Sequence, residues 1–409
     1  MSLEFQDWVV RESRSIIESK FPKWETFTRN YFKDLGYKTV DLAREELLFV
    51  FAILNRLEEI RDPRKHRNHN WDIMFRDVQF NHIHQFPILD KKRKEWEFSN
   101  RLIRGSKRKD KFRVWLTHDI DIVSSIAFRE RWRSLLKGKR APTKERVKIL
   151  LSAMYNTARR LVPNIDSRDC FKSVISVEED FNVKSTLFVC AHYVGKQMWD
   201  DVFYRLDDKV VFDGRQEILA DVFRSLTVKG WEIGCHGSWF SHVDGERLKQ
   251  EIAEIHTLVG CDISIVRNHH LTYDVRTSPL VQVNAGVKAD STIGSNENIG
   301  FRCGTCFPYK LCNYSDGDVS DLVEIPMILQ DCALGHECGY EYTRMRDRAI
   351  QIIEQVENQR GLLTVLWHNQ HAPESTFGIL YRELVDYCVK RGANFVLGKD
   401  VLESMNAVS

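Results

Sequence analysis

The stretch Trp115-Leu-Thr-His-Asp-Ile-Asp121 is the clearest indication of the fold. The apolar residues that begin it are typical of a buried strand, and two carboxylates follow directly at the end of that strand. Similar short runs recur along the chain, with amphipathic helical patterns between several of them. The predicted strands cover residues 113–116, 185–190, 231–235, 263–266, 286–288, 322–325, 362–367 and 394–397. Strands that alternate with helices pair in parallel through right-handed crossovers. We therefore expect an α/β fold, a distorted or incomplete β/α barrel of seven or eight strands.

The composition is that of an ordinary globular protein, since 43% of the 409 residues are hydrophobic and 29% are charged. It excludes a collagenous or wholly disordered chain. Over residues 1–110 the pattern predicts a mainly helical region, in which Leu47, Phe51 and Leu54 share one helical face. We expect the barrel at residues 111–409, with a basic helical insertion at 124–170.

The chain is predicted to be cytoplasmic. Its first residues lack the basic and apolar regions of a secretory signal, and its longest apolar run, 47–54, is shorter than the roughly 20 residues of a membrane span. The ten cysteines are expected to be reduced thiols.

Positive charge is concentrated in two segments, although the net charge is only +2. Residues 91–113 contain eleven basic and three acidic side chains, and residues 129–148 contain nine basic and two acidic ones. Such segments are typical either of a basic face for an anionic partner or of solvated helix surfaces. A basic face could hold a diphosphate or rest against the inner membrane surface as a peripheral contact.

Polar side chains follow four of the predicted strands, where catalytic groups gather in a parallel β/α fold. The residues at these strand ends are Thr117, His118, Asp119 and Asp121; His236 and His242; Arg267, His269 and His270; and His368. Imidazoles and carboxylates of this kind bind zinc-type ions and leave a position for water. Taken singly, the aspartates could instead cap a helix, and each histidine could be structural.

These four segments, in this order, resemble the polysaccharide deacetylase family with its NodB-homology domain. The match is to the subgroup whose first motif is Thr-His-Asp-x-Asp. It extends to Lys184-Ser-Thr-Leu-Phe-Val189, Asp290-Ser-Thr-Ile-Gly294, Gly300-Phe-Arg-Cys-Gly-Thr-Cys-Phe-Pro-Tyr309 and Val323-Glu-Ile-Pro326. The resemblance covers about residues 112 to 400, and residues 40–110 are more weakly similar to the helical region that precedes the subgroup's catalytic domain.

The resemblance implies a role for each polar position. Asp119 would be the general base, Arg267 would orient it, and His368 would be the general acid. A divalent metal ion, zinc above all, would be bound by Asp121, His236 and His269.

Two departures from the family pattern leave alternatives open. Phe240 stands where the second histidine of His-x-x-x-His is usual, so either His269 or His242 is the third ligand, and the retained Arg-x-His favours His269. Because Ile120 separates the two aspartates, Asp119 and Asp121 could exchange their base and ligand roles.

The expected function is metal-dependent removal of the N-acetyl group from an amino sugar in a nucleotide- or polyprenyl-linked precursor of a surface polysaccharide. An alternative with the same fold is hydrolysis of another C–N bond, in a cyclic amide or a formamide. Alternatives of another class are a catalytically inactive glycan-binding relative and a nucleic-acid-binding protein. No zinc-finger or RRM spacing supports nucleic-acid binding.

Overall fold

The structure is a computed structural model that describes residues 3–57, 87–104, 112–123, 169–191, 201–202 and 204–407. Nearly all of the predicted basic insertion at 124–170, including the basic segment 129–148, lies outside these residues, as does 105–111. Within the described part of the chain, no helix is long and apolar enough to span a bilayer.

The described elements alternate between helices and short strands. The helices are α1 Leu3–Lys20, α2 Trp24–Asp34, α3 Arg44–Leu54, α4 Ile88–Phe98, α5 Lys172–Asp180, α6 Leu219–Val228, α7 Gly245–Val259, α8 Ser278–Asn284, α9 Asp331–Cys338, α10 Tyr342–Gln359, α11 Thr376–Lys390 and α12 Gly398–Asn406. The strands are β1 Tyr37–Thr39, β2 Leu102–Arg104, β3 Arg113–Ile120, β4 Ser185–Val189, β5 Lys209–Phe212, β6 Arg215–Ile218, β7 Glu232–Gly237, β8 Ile265–Asn268, β9 Ala289–Asp290, β10 Tyr309–Cys312, β11 Val319–Glu324, β12 Leu329–Gln330, β13 Leu362–Leu366 and β14 Asn394–Phe395.

One large sheet organises the barrel, in the order β10-β11-β9-β8-β7-β4-β3-β13-β12, with β14 beside the start of β3. Its pairings are parallel except for β10 with β11. The predicted α/β fold is therefore confirmed. Among the described residues the sheet has ten strands, nine along this path and β14, rather than seven or eight, because periodicity did not reveal β10 or the two-residue β12.

The sheet is strongly curled. Arg267 on β8 and Asp119 on β3 are separated by two intervening strands, yet Arg267 Nη1 lies 3.0 Å from Asp119 Oδ1. In a flat sheet these strands would be roughly 14 Å apart, three intervals of about 4.8 Å. The two side chains can meet only across the concave interior.

Hydrogen bonds made by loops join the β9 and β12 sides of the curled sheet. Beyond β9, the Asn296 side chain accepts a hydrogen bond from Gln330 Nε2 on β12 at 3.2 Å. The Gly300 amide donates to the Ile328 carbonyl at 2.9 Å. These contacts bridge the gap between the β9 and β12 sides of the barrel.

The described N-terminal residues, 3–57 and 87–104, are mainly helical and pack against the barrel. The prediction of a single apolar face on α3 is wrong, because every residue from 47 to 54 is buried. Tyr309 OH donates to the Leu54 carbonyl at 2.8 Å, and the Cys312 amide donates to Asn55 Oδ1 at 3.0 Å. Helix α3 is thus enclosed between other helices and the barrel loops, which explains its apolar circumference.

Candidate active site

Asp119 lies at the end of β3 with its carboxylate fixed by Arg267. Arg267 Nη1 donates to Asp119 Oδ1 at 3.0 Å and to Thr117 Oγ1 at 2.8 Å. The other side of the guanidinium donates to Ser291, through Nε to the carbonyl at 2.9 Å and through Nη2 to the hydroxyl at 3.0 Å. Four hydrogen bonds hold the buried arginine in one orientation, so the position of Asp119 is well defined.

Asp121, His236 and His269 form a cluster whose potential ligand atoms all lie within 4.8 Å of one another. Asp121 Oδ1 is 3.3 Å from His236 Nε2 and 3.9 Å from His269 Nε2. Asp121 Oδ1 and His236 Nε2 are both buried and lack a hydrogen-bond partner among the described residues. Buried polar atoms without partners are uncommon in folded proteins, and these two point into the same small volume.

The tautomers of the two histidines suit metal binding. His236 Nδ1 lies 2.8 Å from the Arg267 carbonyl and must donate to it. His269 Nδ1 lies 3.2 Å from Asp201 Oδ1. With Nδ1 as the donor, the Nε2 lone pair of each ring is directed toward Asp121, the arrangement that metal-binding histidines adopt. The residues present therefore fit a divalent ion with nitrogen and oxygen ligands.

The electrostatics of the cluster favour a charged Asp121. Burial alone raises the pKa of its carboxyl, but His236, His269 and His368 overcome this and hold the pKa well below its usual range. Asp201 behaves alike: burial raises the pKa of its carboxyl, but the hydrogen bond and charge of His269, together with the Trp239 amide and His270, outweigh burial and lower that pKa. Negative charge is thus retained on both sides of His269.

His242, the alternative third ligand, does not belong to this cluster. Its Nδ1 lies 2.6 Å from the Trp239 carbonyl, within its own loop. His269 instead follows β8, where His270 and Leu271 have φ angles of 57° and 56°. Left-handed backbone at two consecutive non-glycine residues is strained and is often found at functional sites. The local backbone turns sharply there, directly beside the His269 side chain.

The end of β7, which carries His236, and the loop that follows it pack against α7. Gly237 has no room for a side chain, since a Cβ there would lie 2.4 Å from Asn268 Oδ1 and 2.5 Å from Ser241 Oγ. Glu251 on α7 accepts hydrogen bonds from the Ser238 amide and hydroxyl. Close packing and these bonds fix the end of β7 on the helix.

His368 reaches the cluster from the end of β13. Its Nε2 is 3.5 Å from Asp121 Oδ2, and its Nδ1 is 2.7 Å from Asp331 Oδ1. Asp331 also accepts from the His368 amide at 2.8 Å and contacts His371 Nε2 at 2.8 Å. Burial tends to lower the pKa of His368, but Asp331 and, less strongly, Cys332 raise it well above its usual value. Asp331 therefore favours the imidazolium form of His368, whose Nε2 faces Asp121.

His118 sits in the same motif but points away from the cluster. Its ring nitrogens lie 2.6 Å from the Trp367 carbonyl and 2.6 Å from Glu178 Oε1. Glu178 also accepts from Ser185 and Tyr381, both at 2.8 Å. Alternation along β3 places His118 on the face opposite Asp119, where it belongs to a buried structural network.

Sequence reasoning missed Asp201, Ser291 and Asp331. Asp201 and Ser291 lie outside the four motifs that were singled out, although Ser291 stands in the quoted segment 290–294. Asp331 follows β12, which has only two residues and gives no periodic signal. The sequence offered one signal for Asp331, which is that it comes soon after an apolar run from Ile325 to Leu329.

No known family model and no curated protein sequence matches the chain. Several solved structures do match the chain. A putative polysaccharide deacetylase from Mycobacterium smegmatis is 18% identical, with a TM-score of 0.48 over 74% of this chain and 93% of that one. A probable polysaccharide deacetylase from Pseudomonas aeruginosa is 12% identical, with a TM-score of 0.44 over 73% and 92%. A CE4-family pseudoenzyme from Bacillus anthracis is 9% identical, with a TM-score of 0.36 over 71% and 66%.

Solved structures similar to this chain thus include a putative and a probable polysaccharide deacetylase. The motifs of the sequence resemble the same family. The identities are 18% or lower and the TM-scores below 0.5, and a pseudoenzyme stands among the neighbours. The catalytic and ligand roles of individual residues therefore remain predictions for this chain.

Proposed function

We propose that this protein is a metal-dependent hydrolase that removes the N-acetyl group from an amino sugar. The observation that carries the proposal is the arrangement around Asp121. Two histidines approach one side of this carboxylate, while Asp119, held by Arg267, and His368, held by Asp331, stand beside it. Hydrolysis of an amide needs an activated water, positive charge near the developing oxyanion and a proton for the leaving nitrogen.

Each requirement has a candidate residue. A divalent ion held by Asp121, His236 and His269 would supply Lewis-acid activation of water and of the acetyl carbonyl. Asp119 accepts a proton from the attacking water, while Arg267 keeps its carboxylate oriented. His368 donates the proton to the departing amine through Nε2. Zinc suits a ligand set of two imidazoles and one carboxylate.

The proposed substrate is an N-acetylated sugar joined to a nucleotide or a polyprenyl diphosphate. The basic segments 91–113 and 129–148 support an anionic substrate group or a peripheral contact with the inner membrane surface. Several cations of the first segment are already engaged inside the protein. Arg93 donates to Tyr37 OH at 2.7 Å, Lys94 donates to the Asn358 carbonyl at 2.7 Å, and Arg101 donates to Glu46. The positive charge available to a partner is therefore smaller than the number of basic residues in this segment suggests.

Product analysis tests the proposed reaction. The purified protein, reconstituted with zinc, is incubated with N-acetylated amino sugars that are free, nucleotide-linked or polyprenyl-linked, and with formamides and cyclic amides. We expect acetate release from a linked sugar, loss of activity with a chelator and recovery on adding zinc. Formate or ring opening would favour the other C–N hydrolase. Glycan binding without hydrolysis would favour an inactive relative.

Liposome co-sedimentation tests the membrane contact separately. Wild type and a variant with reversed charges over residues 129–148 are compared on vesicles with anionic lipid. Weaker sedimentation of the variant supports the contact, and equal sedimentation rules it out.

A further inference from the structure

Cys332 lies behind the candidate catalytic histidine, in a position that the proposed reaction does not use. Its Sγ is 3.7 Å from His368 Nδ1, and its neighbour Asp331 has Oδ1 2.7 Å from the same nitrogen. Ligand atoms of these three residues all lie within 4.8 Å of one another. Asp331 and His368 are buried, whereas Cys332 is exposed and open to ions from solvent.

We propose that Asp331, Cys332 and His368 form a second, inhibitory site for a thiophilic divalent ion such as Zn²⁺ or Cd²⁺. This site is distinct from the first cluster, because it uses Nδ1 of His368 while Nε2 faces Asp121. The inhibitory effect of this second site rests on the function proposed above. Whether the site binds an ion does not depend on that function.

The donor set and the spacing suit such an ion. Thiolate, imidazole and carboxylate together are typical zinc ligands, and thiolate favours the softer metals. Bonds of about 2.0 Å to nitrogen and 2.3 Å to sulfur place the two ligand atoms roughly 3.5 Å apart in tetrahedral geometry. The observed Nδ1 to Sγ distance of 3.7 Å is close to that value. Nδ1 and Oδ1, now 2.7 Å apart, would separate by roughly half an ångström.

Binding of a divalent ion at this site releases two protons. The Cys332 thiol loses its proton to solvent and binds as thiolate, and His368 Nδ1 loses the proton that it now shares with Asp331. No electrons are transferred. An ion on Nδ1 replaces the contact between His368 Nδ1 and Asp331 Oδ1 that orients the ring, so His368 no longer serves as the acid of the proposed reaction.

We expect the protein to bind two equivalents of metal with opposite effects on the reaction rate. The first equivalent, at Asp121, His236 and His269, activates the enzyme. A second equivalent, bound more weakly, inhibits it. Excess zinc should therefore reduce the rate of the reconstituted wild type.

The experiment compares wild type with Cys332→Ser and with Cys261→Ser, a half-exposed cysteine after α7 that serves as the control. Zinc stoichiometry is measured by equilibrium dialysis, and Cd²⁺ is added to read thiolate-to-metal charge-transfer absorption. Inhibition by excess zinc is expressed relative to each variant's own basal rate. We expect Cys332→Ser to lose the weaker equivalent and the Cd²⁺ band and to need at least about tenfold more zinc for half-inhibition.

The Cys261→Ser control should behave as wild type in all three measurements. An unchanged second equivalent and Cd²⁺ band in Cys332→Ser would overturn the site, as would equal inhibition of both variants. If the protein has no deacetylase activity, dialysis and the Cd²⁺ band still decide whether the ion binds. Failure of the proposed function and failure of this inference are thus distinguishable.

Discussion

Two aspartates outside the recognised motifs orient the histidines of the candidate site. Asp201 contacts Nδ1 of His269, and Asp331 contacts Nδ1 of His368. In both pairs the carboxylate fixes the ring plane so that Nε2 faces Asp121, and Asp201 also selects the tautomer of His269. One pair prepares a metal ligand, and the other prepares a proton donor. The two rings face different oxygens of Asp121: His269 Nε2 faces Oδ1, as His236 Nε2 does, whereas His368 Nε2 faces Oδ2.

Replacing Asp331 by Asn tests the proton donor. We expect kcat to fall by about 10² or more, because His368 loses the charge that keeps it protonated and oriented. The pKa of His368 is raised mainly by Asp331, so its loss lowers that pKa. An acid works only while protonated, and the alkaline limb of the pH–rate profile should move to lower pH. A lower rate with an unmoved limb would indicate a structural role alone.

Separate replacement of His269 and His242 by Ala tests the choice of third ligand. We expect His269→Ala to weaken zinc binding by more than about 100-fold, beyond the usual effect of losing an outer-shell partner. His242→Ala should keep the metal, because the imidazole nitrogens that cluster with Asp121 belong to His236 and His269. Bound zinc is counted after dialysis. Retention of zinc by His269→Ala would contradict the choice.

At the scale of elements, helix α7 supports the strand end that carries His236. Its N-cap Asp244 accepts from the Arg247 amide, and Gly260 ends it in a left-handed conformation with φ of 79°. Glu251 emerges from its inner face and binds the loop after β7 through Ser238. The buried Glu251 carboxylate thus fixes the position of the loop after β7, next to the candidate metal ligands.

Stability should depend on pH through Glu251. Burial raises its pKa to about 7, Asp201 adds to the rise, and Ser238 and Arg247 oppose it. The folded protein thus binds this proton more tightly than the unfolded chain does, so the contribution of Glu251 to stability is fully present below its unfolded pKa of about 4.3. This contribution is lost as pH rises through about 7, which amounts to roughly 3.5 kcal/mol.

Glu251→Gln removes this titration while resembling the protonated carboxyl. The free energy of unfolding of the variant, relative to wild type, should increase between about pH 5 and pH 8. Urea unfolding at several pH values measures it. Glu246→Gln, at an exposed position of the same helix, controls for the substitution itself. A constant difference between Glu251→Gln and wild type across this range would contradict the prediction.

At the scale of the whole molecule, the N-terminal helices and the barrel share buried polar contacts as well as apolar ones. Asp90 on α4 accepts from Thr305 Oγ1 at 3.0 Å and from the Cys306 amide at 2.8 Å. Arg93, one turn later, is buried against Tyr37 and Phe307. These residues lie in the interface between α4 and the loop before β10. The proposed division near residue 110 therefore separates regions that are packed together.

Asp90→Ala should destabilise the protein by roughly 3 kcal/mol, because it leaves the Thr305 hydroxyl and the Cys306 amide without an acceptor and removes a negative charge that attracts the buried Arg93. The thermal transition should move down as a single step. Asp318→Ala is the matched control, since Asp318 also joins the two regions, through Lys23, but at an exposed site. We expect no measurable shift in Tm there. Equal shifts for both variants would mean that Asp90 contributes no more than a surface contact.

The sequence by itself determined the fold class and the strand ends that carry Asp119, Asp121, His236, Arg267, His269 and His368. These features depend on local patterns, since apolar runs predict strands and polar residues just beyond them predict a site. Tertiary structure decided which side chains meet. The curl of the sheet brings Arg267 across to Asp119, and alternation turns His118 away. His269 rather than His242 lies near Asp121, and Asp201 and Asp331 stand behind the histidines, because side-chain contacts depend on distances across the barrel that no local pattern encodes.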